Sequence, residues 1–198
     1  MTLELFPFQT PQDCPDLITR IFCSKFKQLK DDVINKGVLG KVKSYIQQYV
    51  TEFQKQELSH VHMLLILESN DKLRNLEEYD SVVRAEIPKL ECEPQLHEAV
   101  LKHMIHEPCG VINQKSPCMK DEDCKKRYPK QLLDKTRQDT DSYREYKRRF
   151  DEPISLGRGR FVDNKWVVPY NPWLLLKYDC HINVEICSSI KSIKYLYK

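Results

Sequence analysis

Apolar residues near the start of the chain follow the spacing of a helix. In residues 16–34 they recur every three or four positions, which places them along one face of an α-helix. Pro15 and Asp16 favour a helix start here, and Gly37 and Gly40 favour an end beyond it. The pattern predicts an amphipathic helix over this segment.

Strand-forming residues dominate the segment that follows. The second half of residues 41–56 is rich in valine, isoleucine, tyrosine and phenylalanine, which favours a strand. Residues 56–59 are polar or compatible with a turn, and residues 60–67 are again apolar. The two apolar stretches are therefore predicted to pair as an antiparallel hairpin.

Weaker patterns cover the rest of the chain. They predict short helices within residues 70–87, 93–104 and 171–177, strands at 161–168 and 180–187, and a final helix at 188–198. Residues 107–160 are rich in Cys, Pro, Lys, Arg and Asp, which indicates a loop-rich insertion. Together the elements predict one α+β domain over residues 1–198, whose sheet-and-helix core comprises residues 14–106 and 161–198.

Two histidines open the second strand of the hairpin. The alternation of a strand puts His60 and His62 on one face and Val61 on the other. Glu52 and Gln54 share a face of the partner strand, and a pairing centred on the turn brings that face beside the imidazoles. Two imidazoles with a carboxylate or amide oxygen suit Mg²⁺ or Mn²⁺ in an open site. The structural alternative is a polar strand edge with ordinary surface residues at 52 and 54.

A second group of ligand types lies in the cysteine-rich insertion. His106, Cys109, Cys118 and Cys124 suffice for a closed tetrahedral zinc site, with His103 as an alternative nitrogen ligand. Because four protein ligands leave no open position, such a zinc ion is structural. The alternative is three reduced cysteines in a loop. The remaining cysteines are predicted to be buried thiols: Cys14, Cys23, Cys92, Cys180 and Cys187.

Aromatic and amide side chains are close together near residue 170. Trp166, Tyr170 and Asn171 are of the types on which unpaired bases stack and form hydrogen bonds. The structural alternative is that the aromatic rings fill the core.

Several short strings, taken together and in order, carry a resemblance to a known family. They are EFQK from residue 52, LSHVH from 58, HMIHEPCG from 103, SPCMK from 116, WVVPYNP from 166, HINVE from 181 and SIKYL from 192. Over residues 15–198 the chain resembles the Rep, or helicase-like, domain of Helitron transposons. That domain is one of the histidine-hydrophobe-histidine endonucleases of rolling-circle replication.

The resemblance implies both a fold and an activity. The fold is an antiparallel sheet flanked by helices, with the cysteine-rich segment as an insertion. The activity is metal-dependent nicking and strand transfer of single-stranded DNA through a phosphotyrosine. The implied nucleophile is Tyr195. The implied metal ligands are His60 and His62, together with Glu52 or Gln54. One helical turn before the tyrosine, Lys191 shares its face and is predicted to contact DNA.

The chain also departs from the family pattern. A second tyrosine four residues after Tyr195 falls at position 199, and Tyr197 points elsewhere on a helix. The first residues retain at most the tail of an upstream strand, and no phosphate loop of a helicase is present. The domain is therefore expected to be truncated at both ends. The alternative function is a catalytically dead, DNA-binding remnant of a transposon protein.

Composition limits the class of protein and its cellular compartment but does not determine the function. The chain has 198 residues, 40% of them hydrophobic, and a net charge of +3, which favours one globular domain. No apolar run approaches the ~20 residues of a membrane helix and no secretory leader opens the chain, so no membrane partner is expected. The eight cysteines are then expected to be reduced, which indicates a nuclear or cytosolic compartment, and of these we expect the nucleus.

Overall fold

The computed structural model describes residues 13–51, 59–106, 109–110, 113–138, 144–157 and 159–187. These residues divide into two compact units between Lys72 and Leu73, called unit 1 and unit 2 here. The predicted final helix at 188–198 lies outside the described residues. The prediction of a single domain with an insertion stays a prediction.

Unit 1 begins with the predicted amphipathic helix. Helix α1 spans Pro15–Lys30, and a π-helical turn, Asp31–Asn35, continues it. Proline is favourable in the first turn because its missing N–H would have no partner there. Phe26 is buried and stacks on Phe22 with the ring centroids 6.4 Å apart. The prediction for residues 16–34 is confirmed.

The predicted hairpin follows and packs on this helix. Strand β1, Val42–Thr51, pairs antiparallel with β2, Ser59–Leu67. The ring of Tyr49 meets Phe26 of α1 edge to face at 5.3 Å, and Lys30 Nζ lies 4.9 Å from the ring centroid of Tyr45. Helix α1 therefore contacts the sheet face that carries these two tyrosines, and the histidines lie on the other face.

Unit 2 is built around three short helices. They are α2, Leu76–Val82, α3, Pro94–His103, and α4, Pro172–Tyr178. Asparagine side chains cap two of them, because Asn75 accepts from the N–H of Glu78 and Asn171 accepts from that of Leu174. Apolar residues from helices and loops form the core: Leu96, Val100, Met104, Val167, Tyr170 and Leu175. The helices predicted in these regions are confirmed.

Short antiparallel strand pairs complete unit 2. They are β3, Met119–Lys120, with β4, Asp123–Cys124, then β5, Arg137–Gln138, with β6, Arg144–Glu145, and β7, Ile154–Gly157, with β8, Arg160–Val162. Within the described residues every sheet of the protein has two strands. The predicted α+β class with antiparallel sheets and a cysteine-rich segment is confirmed.

Two strand predictions in unit 2 are corrected. The strand expected at 161–168 ends at Val162, because Asp163 accepts from the N–H of Lys165 and starts a 3₁₀ turn, Asn164–Trp166. Residues 180–187 do not join a sheet, although their exposure alternates as expected. Their inward-facing Val184 and Ile186 pack against a small apolar cluster instead.

One buried cation connects three segments of unit 2. Arg148 is 3% exposed, and its Nη1 lies 3.1, 2.7 and 2.7 Å from the carbonyl oxygens of Ala85, Asn164 and Val167. The side chain of Asn164 extends this network by accepting from Ile87 N and donating to Arg149 O. The predicted insertion, residues 107–160, thus contributes an interior side chain to unit 2.

Among the described residues, no helix combines the length and the apolar character needed to cross a lipid bilayer.

We predict that Arg148→Met lowers the free energy of unfolding by about 3 kcal/mol or more, because three buried carbonyl oxygens lose their charged donor. Chemical denaturation measures this change. Arg160→Met removes an exposed arginine from the same unit and should change stability by less than ~0.5 kcal/mol. Equal losses in the two variants would contradict the assigned role.

Candidate functional site

The histidine pair lies on the sheet face opposite to helix α1. His60 and His62 of β2 are both half-buried, and their ring centroids are 5.0 Å apart with the planes perpendicular. Because successive strand side chains alternate, Val61 between them belongs to the tyrosine face. Two imidazoles therefore converge on one side of the hairpin.

The strand register shows which residue of β1 accompanies the histidines. Gln48 is paired with His62, and directly paired residues share a face of the sheet. An amide at this place was not predicted, because the register depends on the length of the turn. Sequence reasoning considered only residues 52 and 54.

Four of the predicted site residues lie outside the described residues. They are Glu52 and Gln54, between β1 and β2 in the sequence, and Lys191 and Tyr195 near the end of the chain. Their roles as metal ligands, DNA contact and nucleophile stay predictions.

The four soft ligands predicted in the insertion come together in unit 2. One ligand atom from each of His106, Cys109, Cys118 and Cys124 lies within 4.8 Å of all the others. His106 Nε2 is 3.6 Å from both Cys109 Sγ and Cys124 Sγ. A tetrahedral zinc ion with Zn–S of ~2.3 Å and Zn–N of ~2.0 Å separates such atoms by about 3.5 Å. The cluster could hold a metal such as zinc.

The other candidate ligands lie elsewhere. His103, the alternative nitrogen ligand, has its Nε2 2.8 Å from Asp179 Oδ1. The prediction that the remaining cysteines are buried is wrong, because Cys14 is half-buried and four more are exposed: Cys23, Cys92, Cys180 and Cys187. Thiols separated along the chain need a nonlocal core to bury them, which their own sequence neighbourhoods do not reveal.

A tight hairpin delivers two of the cysteines. Asp121 and Glu122, between β3 and β4, both have positive φ, of 50° and 70°, as the type I′ turn requires. This turn brings Cys124 back beside Cys118, where Lys125 N donates to Cys118 O at 2.8 Å. His106 is held by its own N–H, which donates to Trp166 O at 2.8 Å.

The surroundings of the cluster shift the pKa values of its ligands in different directions. Burial, helped by the charges of Lys126 and Lys130, lowers the pKa of His106 to about 4, so its imidazole is neutral near pH 7. Burial and the neighbouring sulfurs raise the pKa of Cys109 to about 12. A buried group of thiols ionises together only when a cation compensates the charge, which suits a metal site.

Cys124 is shifted in the opposite direction. Burial alone raises its pKa, but the backbone N–H groups of Tyr128 and Lys126 donate to its sulfur and lower the pKa overall. Hydrogen bonds to the ionised form favour the thiolate. The loop after this cysteine therefore prepares one ligand for a cation.

Aromatic rings stack beside the cluster. Tyr128 lies parallel to the His106 ring at 4.1 Å, and the half-buried Trp166 ring is also parallel, 6.4 Å from His106 and 6.5 Å from Tyr128. Tyr128 was not singled out from the sequence. The available signal was its place among lysines shortly after the last cysteine.

Two of the predicted DNA contacts lie in the interior. Tyr170 is 0% exposed and its hydroxyl donates to Glu86 O at 2.9 Å. Asn171 caps α4 and also donates to Val82 O. Their side chains hold the core together and are not accessible to a base. Of the three residues predicted to contact DNA in this region, Trp166 alone keeps partial exposure.

Comparison with known families concerns the part of the chain that contains the histidine pair. Residues 1–65 match the family model described as the Helitron helicase-like domain at N-terminus. A search of curated proteins finds no match to the chain.

The Helitron match ends within β2, three residues after His62. It confirms the resemblance for about a third of the chain, including the positions of both histidines and of residues 52 and 54. The cysteine cluster of unit 2 lies beyond the matched Helitron segment, so it is characterised by its geometry alone.

We predict that Glu122→Gly stabilises the protein by roughly 0.5 kcal/mol or more, because glycine relieves the positive-φ strain in the turn of the cysteine hairpin. Denaturation in the presence of zinc measures the effect. Glu122→Ala removes the same charge but keeps the Cβ atom, so it should bring no such gain. A matching gain from alanine would point to the charge instead of the backbone.

Proposed function

We propose that the protein nicks single-stranded DNA during Helitron-type rolling-circle transposition. The observation that supports this proposal best is the convergence of His60 and His62 on one face of β2, within the segment that matches the Helitron model. The cleavage and rejoining of one strand by a nuclear transposon protein follows from the family resemblance. In the family, a protein with this activity normally also carries a helicase.

The residues at the histidine pair fit a hard divalent cation. Neutral imidazole binds many divalent metals, and oxygen ligands such as those of Glu52, Gln54 or Gln48 shift the preference toward Mg²⁺ or Mn²⁺. When bound, such an ion supplies positive charge beside the scissile phosphate. His60 and His62 would hold it on the face of the hairpin opposite to α1.

Tyr195 is the proposed nucleophile. Its phenolic oxygen attacks the phosphorus, the bond between phosphorus and the 3′-oxygen breaks, and the phenolic proton ends on that oxygen. The products are a 5′-phosphotyrosine and a free 3′-hydroxyl, and the phosphotyrosine linkage preserves the bond energy for later rejoining. An unperturbed phenol has a pKa of ~10, so attack near neutral pH requires nearby positive charge or a base.

Incubation with single-stranded oligonucleotides and Mn²⁺ should produce a covalent protein–DNA adduct. Tyr195→Phe should abolish the adduct because it removes the attacking oxygen, and Tyr197→Phe should leave it intact. His60→Ala with His62→Ala should also abolish it. Denaturing gel electrophoresis with labelled DNA measures each result.

Survival of the adduct in Tyr195→Phe would refute the nucleophile assignment. If the wild-type chain forms no adduct but binds the oligonucleotide, the alternative function, a DNA-binding remnant without nicking activity, is favoured.

For unit 2 we propose a structural zinc ion at the cysteine cluster. The close approach of four soft ligands supports it, together with the N–H groups that stabilise the thiolate of Cys124. With all four positions taken by protein, the ion has no place for substrate. It instead holds the loop after this cysteine in shape.

Purified protein should contain one zinc ion per chain, and chelation should lower its melting temperature. Cys124→Ser should reduce the zinc content to near zero because a hydroxyl is a poor ligand for this ion. Cys92→Ser alters an exposed thiol of the same unit and should leave the content unchanged. Elemental analysis with thermal melting decides, and a zinc-free wild type with unchanged melting would remove the site.

A further inference from the structure

Among the described residues, three exposed cations next to the cysteine cluster have no carboxylate partner. Within the described part of unit 2, Lys125, Lys126 and Arg127 form no ion pair. Many other basic side chains of this unit are paired: Arg84 with Glu93, Lys102 with Asp179, Arg137 with Glu145, Lys147 with Asp80, Arg149 with Glu86 and Lys165 with Asp163. The charge of residues 125–127 is therefore available to an anionic partner.

The backbone fixes these three residues in place. Lys125 N donates to Cys118 O at 2.8 Å, and Arg127 N donates to Cys124 O at 2.7 Å. Both acceptors belong to residues of the cysteine cluster. The cations thus extend from a loop that the cluster anchors at two points, which lowers the entropy lost when a partner is bound.

An aromatic surface adjoins the cations. Lys130 Nζ lies 4.9 Å from the Tyr128 centroid and donates to Lys126 O, which places the ring beside the basic loop. The Tyr128 ring is in contact with His106 on one face and with the amine of Lys130. The Trp166 ring lies parallel to Tyr128 with the centroids 6.5 Å apart, and it is half-buried. Trp166 is consequently the ring on which a planar ligand can stack. Burial lowers the pKa of Lys130, and the negative charge of Glu185 partly offsets this shift.

We propose that this surface, residues 125–127 with Trp166, binds an unpaired nucleic acid strand. Phosphates contact the three cations, and a base stacks on the indole. An acidic peptide would contact the cations but would have no base to stack on the indole. In a duplex the bases are stacked on one another and cannot stack on a side chain. Cations beside an aromatic ring therefore favour a single strand. This inference rests on the proposed function for its ligand, but it assigns a second contact surface in unit 2, apart from the histidine pair.

The test measures binding of labelled oligothymidylate of about 12 nucleotides, a length that one single-strand site accommodates. The full chain, loaded with zinc and carrying Tyr195→Phe, is titrated by fluorescence anisotropy without Mg²⁺ or Mn²⁺. Changing Lys125, Lys126 and Arg127 together to Gln should weaken binding at least about tenfold. It should also reduce the slope of log affinity against log salt by about 2, since each single-strand phosphate contributes about 0.7.

The matched control removes three exposed cations from elsewhere in unit 2. Lys89→Gln, Lys135→Gln and Arg160→Gln together change the net charge equally and should alter affinity by less than threefold. Equal weakening in the two triple variants would overturn the proposal, as would equal affinity for a duplex of the same length. Displacement of the oligonucleotide by polyglutamate at equal charge concentration would instead assign the surface to acidic proteins. Zinc content and melting temperature verify that each variant is folded.

Tryptophan fluorescence tests the stacking directly and does not depend on the triple variants. The chain has two tryptophans, so Trp173→Phe leaves Trp166 as the sole tryptophan, which excitation at long wavelength selects over the tyrosines. Its emission should be quenched on saturation with oligothymidylate. Trp166→Phe leaves Trp173, which should show no quenching. Absence of quenching at Trp166 despite full binding would refute the assigned surface.

The two proposals fail in different ways. Loss of the phosphotyrosine adduct with retained binding at residues 125–127 would remove the nicking activity alone. A normal adduct with unchanged binding in the triple variant would remove this surface alone.

Discussion

One guanidinium nitrogen in the interior of unit 2 forms hydrogen bonds to backbone carbonyls of two distant segments. Arg148 Nη1 carries two hydrogens and is shared among three buried carbonyls, so the segments that supply those carbonyls are held at fixed distances from it. Two of the carbonyls, those of Asn164 and Val167, flank Trp166, whose own carbonyl accepts from His106 N. Burying this charge is costly without such acceptors. The position of the cysteine cluster therefore depends on a cation that takes no part in ligation.

Local pattern predicted the elements whose formation is local. The helix over residues 16–34 and the strand of His60 and His62 follow from periodicity, and the cysteine cluster follows from ligand chemistry. What failed depends on distant partners. Residues 180–187 alternate like a strand but lack a sheet to join, and Tyr170 looked like a base platform but fills the core. An aromatic side chain carries no mark in sequence that distinguishes these destinations.

The two candidate metal centres differ in what they leave open. The histidine pair supplies two imidazoles on the face of the hairpin opposite to α1, so an ion held there needs further ligands, for which oxygen atoms are proposed. The cysteine cluster supplies four ligands of its own and is buried around Cys109. Borderline and soft ligands select against Mg²⁺ at the second centre, whereas oxygen ligands are needed at the first. In the proposed function the two groups therefore favour different classes of ion.

The type I′ turn of the cysteine hairpin also sets a boundary on the surface of unit 2. Its turn carries two exposed carboxylates, Asp121 and Glu122, and Asp123 adjoins them in β4, where it is paired with Lys120. The opposite end of the hairpin continues into the cations of residues 125–127. Charge thus reverses across two rungs of a ladder, a distance of about 7 Å and within one Debye length. Any polyanion bound along the basic loop is repelled by these carboxylates where it approaches the tip.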